Sequence, residues 1–426
     1  MRSMNQKSRK RKAETITLTE KHLFRKDDPA FRELDDLTFR SKNLYNSTLY
    51  AMRQYFFEHR CFPGYRKVNA DFTHENQPDY RALPAKVTKH VQMMADEACR
   101  SFLTLNALHR EGKLQDRPKL PGYMDKTKGR QVLHYEKGAI SRPWLQKGII
   151  HLSGTELYIP TGADPAKVQF VRIVPAGGAF AVEVGYREEL PELKEGPSRI
   201  AALDLGVNNL AVCCSNVSGP VLIDGKYLKS INQRSNKAIA KAKAEARKKN
   251  GQNMTVRIRA MYLRRNNRIL DYMHKATRYL VNHFVSSQID TVVIGHSKGW
   301  KQDTDMGKRT NQNFCQIPFN MFISMLCYKC RMAGIRAVCT EESYTSKCSF
   351  LDDEECRKHK EYMGRRVHRG LFRSHDGTVI NADLNGSLNI LKKEMQKMDA
   401  WNDTLYRQCV EHNLKTDLVR YKVPRS

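Results

Sequence analysis

The sequence predicts an α/β fold with helical and small β domains beside it, and three changes in hydrophobic period point to that class. Apolar residues recur every three or four positions over 29–60 and 84–110, then alternate in short runs over 131–187. Beyond 199 the chain switches between uninterrupted apolar runs, as buried strands carry, and long helical stretches. With 426 residues it is long enough for two or three domains, each with a core.

Residues 1–13 are polar and basic, with Lys7-Ser-Arg-Lys-Arg-Lys12, and read as a flexible tail suited to phosphate; a nuclear signal is the weaker reading. Thr15 to Thr19 predicts one short strand. Leu34, Leu37, Leu44, Leu49, Met52 and Phe56 predict the first helix, with Lys42, Arg53 and Arg60 among its polar positions. Val87, Val91, Met94, Ala98, Phe102, Leu105 and Leu108 predict a second. Two prolines keep Arg117-Pro-Lys-Leu-Pro-Gly122 extended. Val132, 148–152, 157–159, 168–174 and 180–186 predict short strands of a small antiparallel barrel or sheet. Glu188 to Ser198 is a polar linker.

The core begins at Ile200-Ala-Ala-Leu-Asp-Leu-Gly-Val-Asn-Asn-Leu-Ala-Val212, which reads as a strand, a tight turn at Gly206 and a return strand to Cys214. A third short strand is expected at 220–223. Asp204 lies inside an apolar run, where a carboxylate is costly unless it is paired or binds a metal; capping the turn is its plainer use. Residues 235–288 predict two helices divided at Gly251. Thr291-Val-Val-Ile-Gly295 and Ile335-Arg-Ala-Val-Cys-Thr-Glu-Glu342 predict two more strands, the second ending in two carboxylates. Asn381-Ala-Asp-Leu-Asn-Gly-Ser-Leu-Asn-Ile-Leu391 opens a helix on Leu384, Leu388 and Leu391, with Asp383 at its electropositive start. The tail beyond reads first as helix, then as irregular polar chain.

Lys and Arg number 74 against 45 Asp and Glu, a net charge of +29, which argues for a polyanionic partner such as nucleic acid. The charge is densest over 235–268, where Lys241, Arg247, Lys248, Arg257, Arg264 and Arg265 are candidate phosphate contacts; a solubilising surface is the bland alternative. Arg369 and Arg373, in the basic run 365–373, are candidates for the same role. Eleven Cys without a regular framework, and no secretory signal, suggest a reducing interior rather than disulfides. No run approaches the ~20 apolar residues of a membrane span.

The pair Leu-Asp-Leu-Gly-Val-Asn-Asn-Leu and Asn-Ala-Asp-Leu-Asn-Gly resembles the first and third RuvC motifs of TnpB proteins, transposon-encoded RNA-guided DNA nucleases similar to the compact type V CRISPR effectors. The resemblance implies an RNase H-like RuvC nuclease domain over 191–342, with its last helix in 381–426. It implies a wedge β-barrel over 129–190 completed by a first strand in 14–28, a helical recognition domain over 29–128, and a target-nucleic-acid-binding insertion over 343–380. The function it implies is RNA-guided DNA cleavage after recognition of a short flanking motif, with guide RNA and target DNA as partners and no membrane. The implied location is cytoplasmic and nucleoid-associated in a prokaryote, or nuclear in a eukaryote.

One departure is informative. The family's second motif normally carries Glu where this chain has Gly295 and His296. The run Glu342-Ser-Tyr-Thr-Ser-Lys resembles a subset in which the Glu has moved to the neighbouring strand. In an RNase H-like sheet the Asp204 strand is central, the Gly295 strand lies beside it and the Glu341/Glu342 strand is next, ~10 Å from the centre. A Glu can span part of that distance because Gly295 has no side chain to block it. Alternation places only one of Glu341 and Glu342 on the metal face, and the motif favours Glu342. Asp204, Glu342 and Asp383 would then be the catalytic residues and hold two Mg²⁺ ions. A site that Glu342 or Glu341 fails to complete would instead belong to a nuclease-inactive, RNA-guided DNA-binding repressor. A guide-independent transposase or resolvase is a third reading.

The family often has a four-Cys zinc ribbon between these motifs. Here Cys348 and Cys356 are followed by His359, His368 and His375, without paired Cys-x-x-Cys spacing. Zinc is the lesser reading there, and a loop rich in Lys and His the main one.

Overall fold

The computed structural model describes residues 13–194, 196–296, 316–368 and 370–424. The basic run Lys7–Lys12 and Arg369 lie outside them. The chain divides into two units, Met1–Glu189 and Leu190–Ser426.

In the first unit, β1 (Thr15–Phe24) is followed by α1 (Phe31–His59), α2 (Gly64–His74), α3 (Pro78–Arg81) and α4 (Ala85–Arg110). Then come β2 (Leu133–Glu136), α5 (Arg142–Gln146), β3 (Ile149–His151), β4 (Tyr158–Pro160), β5 (Val168–Ala176) and β6 (Ala179–Glu189). The stripe read for α1 is buried at Leu34, Leu37, Leu44, Leu49 and Met52. In α4 the buried row is Val87, Val91, Ala95 and Cys99, an i, i+4 series; the expected stripe ends early, and Leu105 is exposed. Lys42 belongs to the buried face, not the polar one: its ammonium donates to the Lys126 carbonyl at 2.7 Å. The strands are ordered β1-β6-β5-β2, all antiparallel, with β3 and β4 as a separate ribbon. Of the barrel or sheet expected here, the described residues form a sheet with β1 and β2 as its two edges.

The second unit is a six-stranded sheet covered on both faces. Its elements are β7 (Ile200–Leu205), β8 (Asn209–Ser215), β9 (Val221–Asp224), α6 (Lys226–Asn250), α7 (Val256–Ser286), β10 (Thr291–Gly295), α8 (Phe319–Met332) and β11 (Arg336–Thr340). The rest are β12 (Arg365–His368), β13 (Leu371–Arg373), β14 (Val379–Asn381), α9 (Ala382–Lys397), α10 (Asp403–Leu414) and β15 (Val419–Tyr421). The order is β11-β10-β7-β8-β9-β15. β10 runs parallel to both β7 and β11, whereas β8 is antiparallel to β7 and β9. The expected placement of the Asp204, Gly295 and Glu341/Glu342 strands is therefore the observed one. The tail corrects the reading of an irregular end, since β15 adds a sixth strand parallel to β9.

Alternation decides which side chains meet which helices. Ala201, Leu203 and Leu205 pack on one face with Met273, Leu280, Phe284, Phe322 and Leu326 of α7 and α8. Ile200, Ala202 and Val293 pack on the other with Leu384, Leu388 and Leu391 of α9. Asp204 and Gly295 share the parity of that second set. β12, β13 and β14 form a small antiparallel sheet in the chain between β11 and α9.

Candidate functional site

The end of β7, the turn after β11 and the start of α9 place three carboxylates near enough that Asp383 and Glu342 both act on Asp204. Asp204 is one residue before the end of β7, opposite Val212 of β8. α9 comes unusually close to it through Gly386: a Cβ there would lie 2.6 Å from Asp204 Oδ2. The glycine in Asn-Ala-Asp-Leu-Asn-Gly therefore makes room for the carboxylate. Asp204 is half-buried and crowded by protein; burial first, then the charges of Asp383 and Glu342, push its carboxyl well above the ordinary range, with Arg366 opposing.

Asp383 sits in the first turn of α9, whose cap is Asn381: its Oδ1 accepts from the Asp383 and Leu384 amides at 2.9 and 3.1 Å. The cap is thus Asn381 rather than Asp383, which leaves the Asp383 carboxylate available. Its Oδ2 accepts from Asn209 Nδ2 at 2.7 Å, and its Oδ1 lies 3.4 Å from the Arg366 guanidinium.

Glu342 lies two residues beyond β11, and β10 is the strand between β11 and β7. A Cβ on Gly295 would come within 2.8 Å of Glu342 Oε2 and 2.4 Å of Ile390 Cδ1. The carboxylate therefore lies over the glycine. Its Oε2 is buried with no hydrogen-bond partner, and burial followed by the Glu341 charge pushes its pKa up to about 7, with Lys393 opposing. Glu341 is differently placed. It is exposed, accepts from Lys393 Nζ at 2.8 Å and the Ser343 amide at 2.9 Å, and these bonds outweigh burial to hold its carboxyl below the ordinary range.

Three converging carboxylates, one with an orphaned buried oxygen, are electrostatically unfavourable alone. All three offer carboxylate oxygens, the donor type that suits a hard divalent cation, and holding one would draw the side chains together, since their oxygens do not all lie within 4.8 Å of one another.

The expected basic contacts divide. α6 and α7 pack as a pair on Ile239, Ala242 and Ile258, and they present Lys241, Arg247, Lys248, Arg257 and Arg264 to solvent. Arg257 lies 3.9 Å from Glu245, and Arg247 also bonds Asn253. Arg265 corrects its assignment: half-buried, it donates through Nε to Asn232 Oδ1 at 3.0 Å, and burial lowers its pKa. That bond links α7 to α6. Arg373 is exposed on β13 opposite Arg365, and Arg366 follows on β12.

The zinc reading also changes. Cys348, Glu354 and His359 bring ligand atoms within 4.8 Å of one another, but His368 and His375 are not in that group. Glu354 already accepts the Ser349 and Met363 amides at 2.7 and 3.1 Å. The turn is tied to α9 by Asn385 and Asn389, which donate to the Cys348 carbonyl at 2.8 Å each, and by buried Lys392, which donates to the Asp353 and Glu354 carbonyls at 2.7 and 3.1 Å. The group brought together here is Cys348, Glu354 and His359, with the Cys356 thiol hydrogen-bonded to Cys348, rather than the four-Cys set of a zinc ribbon.

Sequence reasoning missed Asn209, Gly386, Arg366 and Lys393 as parts of the site. Asn209 and Gly386 stood inside the quoted motifs, and Arg366 inside the basic run. Asn381, Asn385 and Asn389 recur at i, i+4 and i+8, the helical signal that would have exposed the pinned face.

Comparison with known proteins follows this geometry. The family described as OrfB_IS605, probable transposase, matches residues 180–301, and Cas12f1-like, TNB domain, matches 319–390. The chain is 23% identical over 401 residues to "TnpB-like protein ORF457" of Acidianus two-tailed virus, covering 85% of this chain and 83% of that protein. A cryo-EM structure of the Cas12f1-sgRNA-target DNA complex contains a chain with a TM-score of 0.51 and 13% identity, matched over 84% of this chain and 83% of that one, a likeness of fold. Among the described residues no helix is long and apolar enough to cross a membrane.

Proposed function

Because the chain is a TnpB-family relative of the type V effectors, we propose that it is an RNA-guided, metal-dependent DNA endonuclease. The observation that carries this reading is the reach of Glu342 over Gly295 toward the face that holds Asp204 and Asp383. A carboxylate lost from one strand is thereby replaced from the next. That replacement favours an active nuclease over a nuclease-inactive repressor.

Asp204, Glu342 and Asp383 would hold Mg²⁺. Two ions bound there would supply an activated water and charge stabilisation at the leaving oxygen of a phosphodiester. The protein's own residues supply the rest. Arg366, 3.4 Å from Asp383, is placed to meet the phosphate of a strand entering the site. Arg365 and Arg373 extend that positive edge along β12 and β13. Lys241, Arg247, Lys248, Arg257 and Arg264 on α6 and α7 hold nucleic-acid backbone. By the family resemblance, the helices within 29–128 grip the guide–target duplex, the sheet within 129–190 with β1 binds the guide scaffold, and the protein reads a short flanking motif while pairing reads the sequence.

The test is to express the chain from its native locus, sequence the RNA that co-purifies, and assay that complex on matched DNA in Mg²⁺. RNA-dependent cutting is expected. Binding without cutting would identify the repressor, and absence of RNA the guide-independent transposase. Affinity for that RNA should fall steeply with salt, log Kd changing by ~0.7–0.9 per log unit of salt for each phosphate neutralised. A flat titration would remove the exposed cations of α6 and α7 from the interface.

A further inference from the structure

We infer that Asn209 is a positioning residue for Asp383, fixing one carboxylate oxygen so that the other is presented to a bound cation; this rests on reading Asp204, Glu342 and Asp383 as ligands. Asn209 opens β8, whose register against β7 pairs Leu205 with Ala211 and Asp204 with Val212. Its backbone is therefore referenced to Asp204 by the central strand pair. Against β9 the register shifts between Asn209 and Ala211, an irregularity of the kind that re-aims a side chain. Through Nδ2 it donates to Asp383 Oδ2 at 2.7 Å, across 174 residues of sequence. One amide thus couples two ligands carried on separate elements.

The turn itself does not demand Asn at this position. Neither Asn208 nor Asn209 is among the residues with left-handed backbone, the conformation that favours Asn in tight turns. The site does demand a neutral donor. A Lys or Arg there would place a fixed positive charge where the cation must sit, and an Asp or Glu would add a fourth carboxylate to three already crowded together. An amide orients the ligand without altering its charge. Arg366 is the other partner of Asp383, at 3.4 Å on Oδ1, with its own side chain about half exposed. The shorter, uncharged bond from Asn209 is the one that persists when a cation displaces Arg366.

The experiment is a Mn²⁺ titration of the full-length chain without nucleic acid, following free Mn²⁺ by electron paramagnetic resonance, with melting temperature measured alongside. Asp204→Asn should lose the bound Mn²⁺. Asn209→Ala should bind ~10–100-fold more weakly, the usual consequence of removing a group that orients a metal ligand, while melting as the parent does. Asn208→Ala, one residue away, should bind as the parent does. If Asn209→Ala fails to fold, Asn209→Ser, too short to span to Asp383, carries the same expectation. In the RNA-loaded complex, the Mg²⁺ concentration for half-maximal cleavage should rise for Asn209→Ala, with the rate recovering at saturation. Parental Mn²⁺ affinity in Asn209→Ala, with binding lost in Asp204→Asn, would overturn the inference and leave the carboxylate reading standing. Parental affinity in Asp204→Asn would overturn both.

Discussion

Replacing Asp204 or Asp383 by Ala is expected to reduce cleavage of guide-matched DNA by about a thousandfold or more, the order of loss when a group that stabilises transition-state charge is removed. Binding of the same DNA should stay near the parental level. The asymmetry follows from where the two activities reside. On the proposed function, cutting needs the three carboxylates around β7 and α9, whereas binding rests on base pairing and on exposed cations such as Lys241 and Arg264. Neither change should unfold the protein. Asp204 and Asp383 are mutually repulsive groups, and deleting one relieves the repulsion that raises the Asp204 carboxyl. The measurement is cleavage and gel-shift binding on one preparation of each variant. Parental cutting by either variant would remove that residue from the site, and loss of binding along with cutting would point to misfolding.

Much of the six-stranded core was legible because apolar runs rarely contain carboxylates. Asp204 stood out in such a run, and the strand order followed from family resemblance and sheet spacing. What stayed illegible depends on partners distant in sequence. Glu341 and Glu342 are identical in type and adjacent; Lys393, 52 residues away, pairs with the first, and nothing local announces it. Arg265 looks like its exposed neighbours in composition, and only the α6–α7 packing that brings Asn232 alongside turns it inward. β15 is three residues long, too short for any period to register, yet it pairs with Val221–Ile223 of β9. The sheet-or-barrel question turned on whether edge strands β1 and β2 meet, which alternation along each strand does not encode. Glu354 was passed over because it sits in a polar loop, where an acidic residue ordinarily faces water; here Lys392 and two asparagines of α9 fold that loop inward.

The sharpest expectation concerns the displaced glutamate. Glu342→Gln should lower cleavage as far as the Asp204 change does, while Glu341→Gln retains much of it. Gln keeps the size of Glu but removes the negative charge that a Mg²⁺ ligand supplies. Glu342 has that charge to give, with an unpartnered buried oxygen, whereas Glu341 has already spent its own on Lys393 and Ser343. Gly295→Leu should also impair cutting, because its Cβ would stand 2.8 Å from Glu342 Oε2 and 2.4 Å from Ile390 Cδ1. The second clash complicates the reverse test, in which Gly295→Glu restores a carboxylate to β10. Ile390→Val removes the Cδ1 atom at a cost of ~0.5–1.5 kcal/mol, so the informative variant is Gly295→Glu, Ile390→Val and Glu342→Gln together. Recovery of cutting by that triple variant over Glu342→Gln alone is the expected result, read against melting temperature to separate chemistry from crowding. Undiminished cleavage by Glu342→Gln, with loss in Glu341→Gln, would hand the third ligand to Glu341 and make the gap at Gly295 a packing feature of α9 alone.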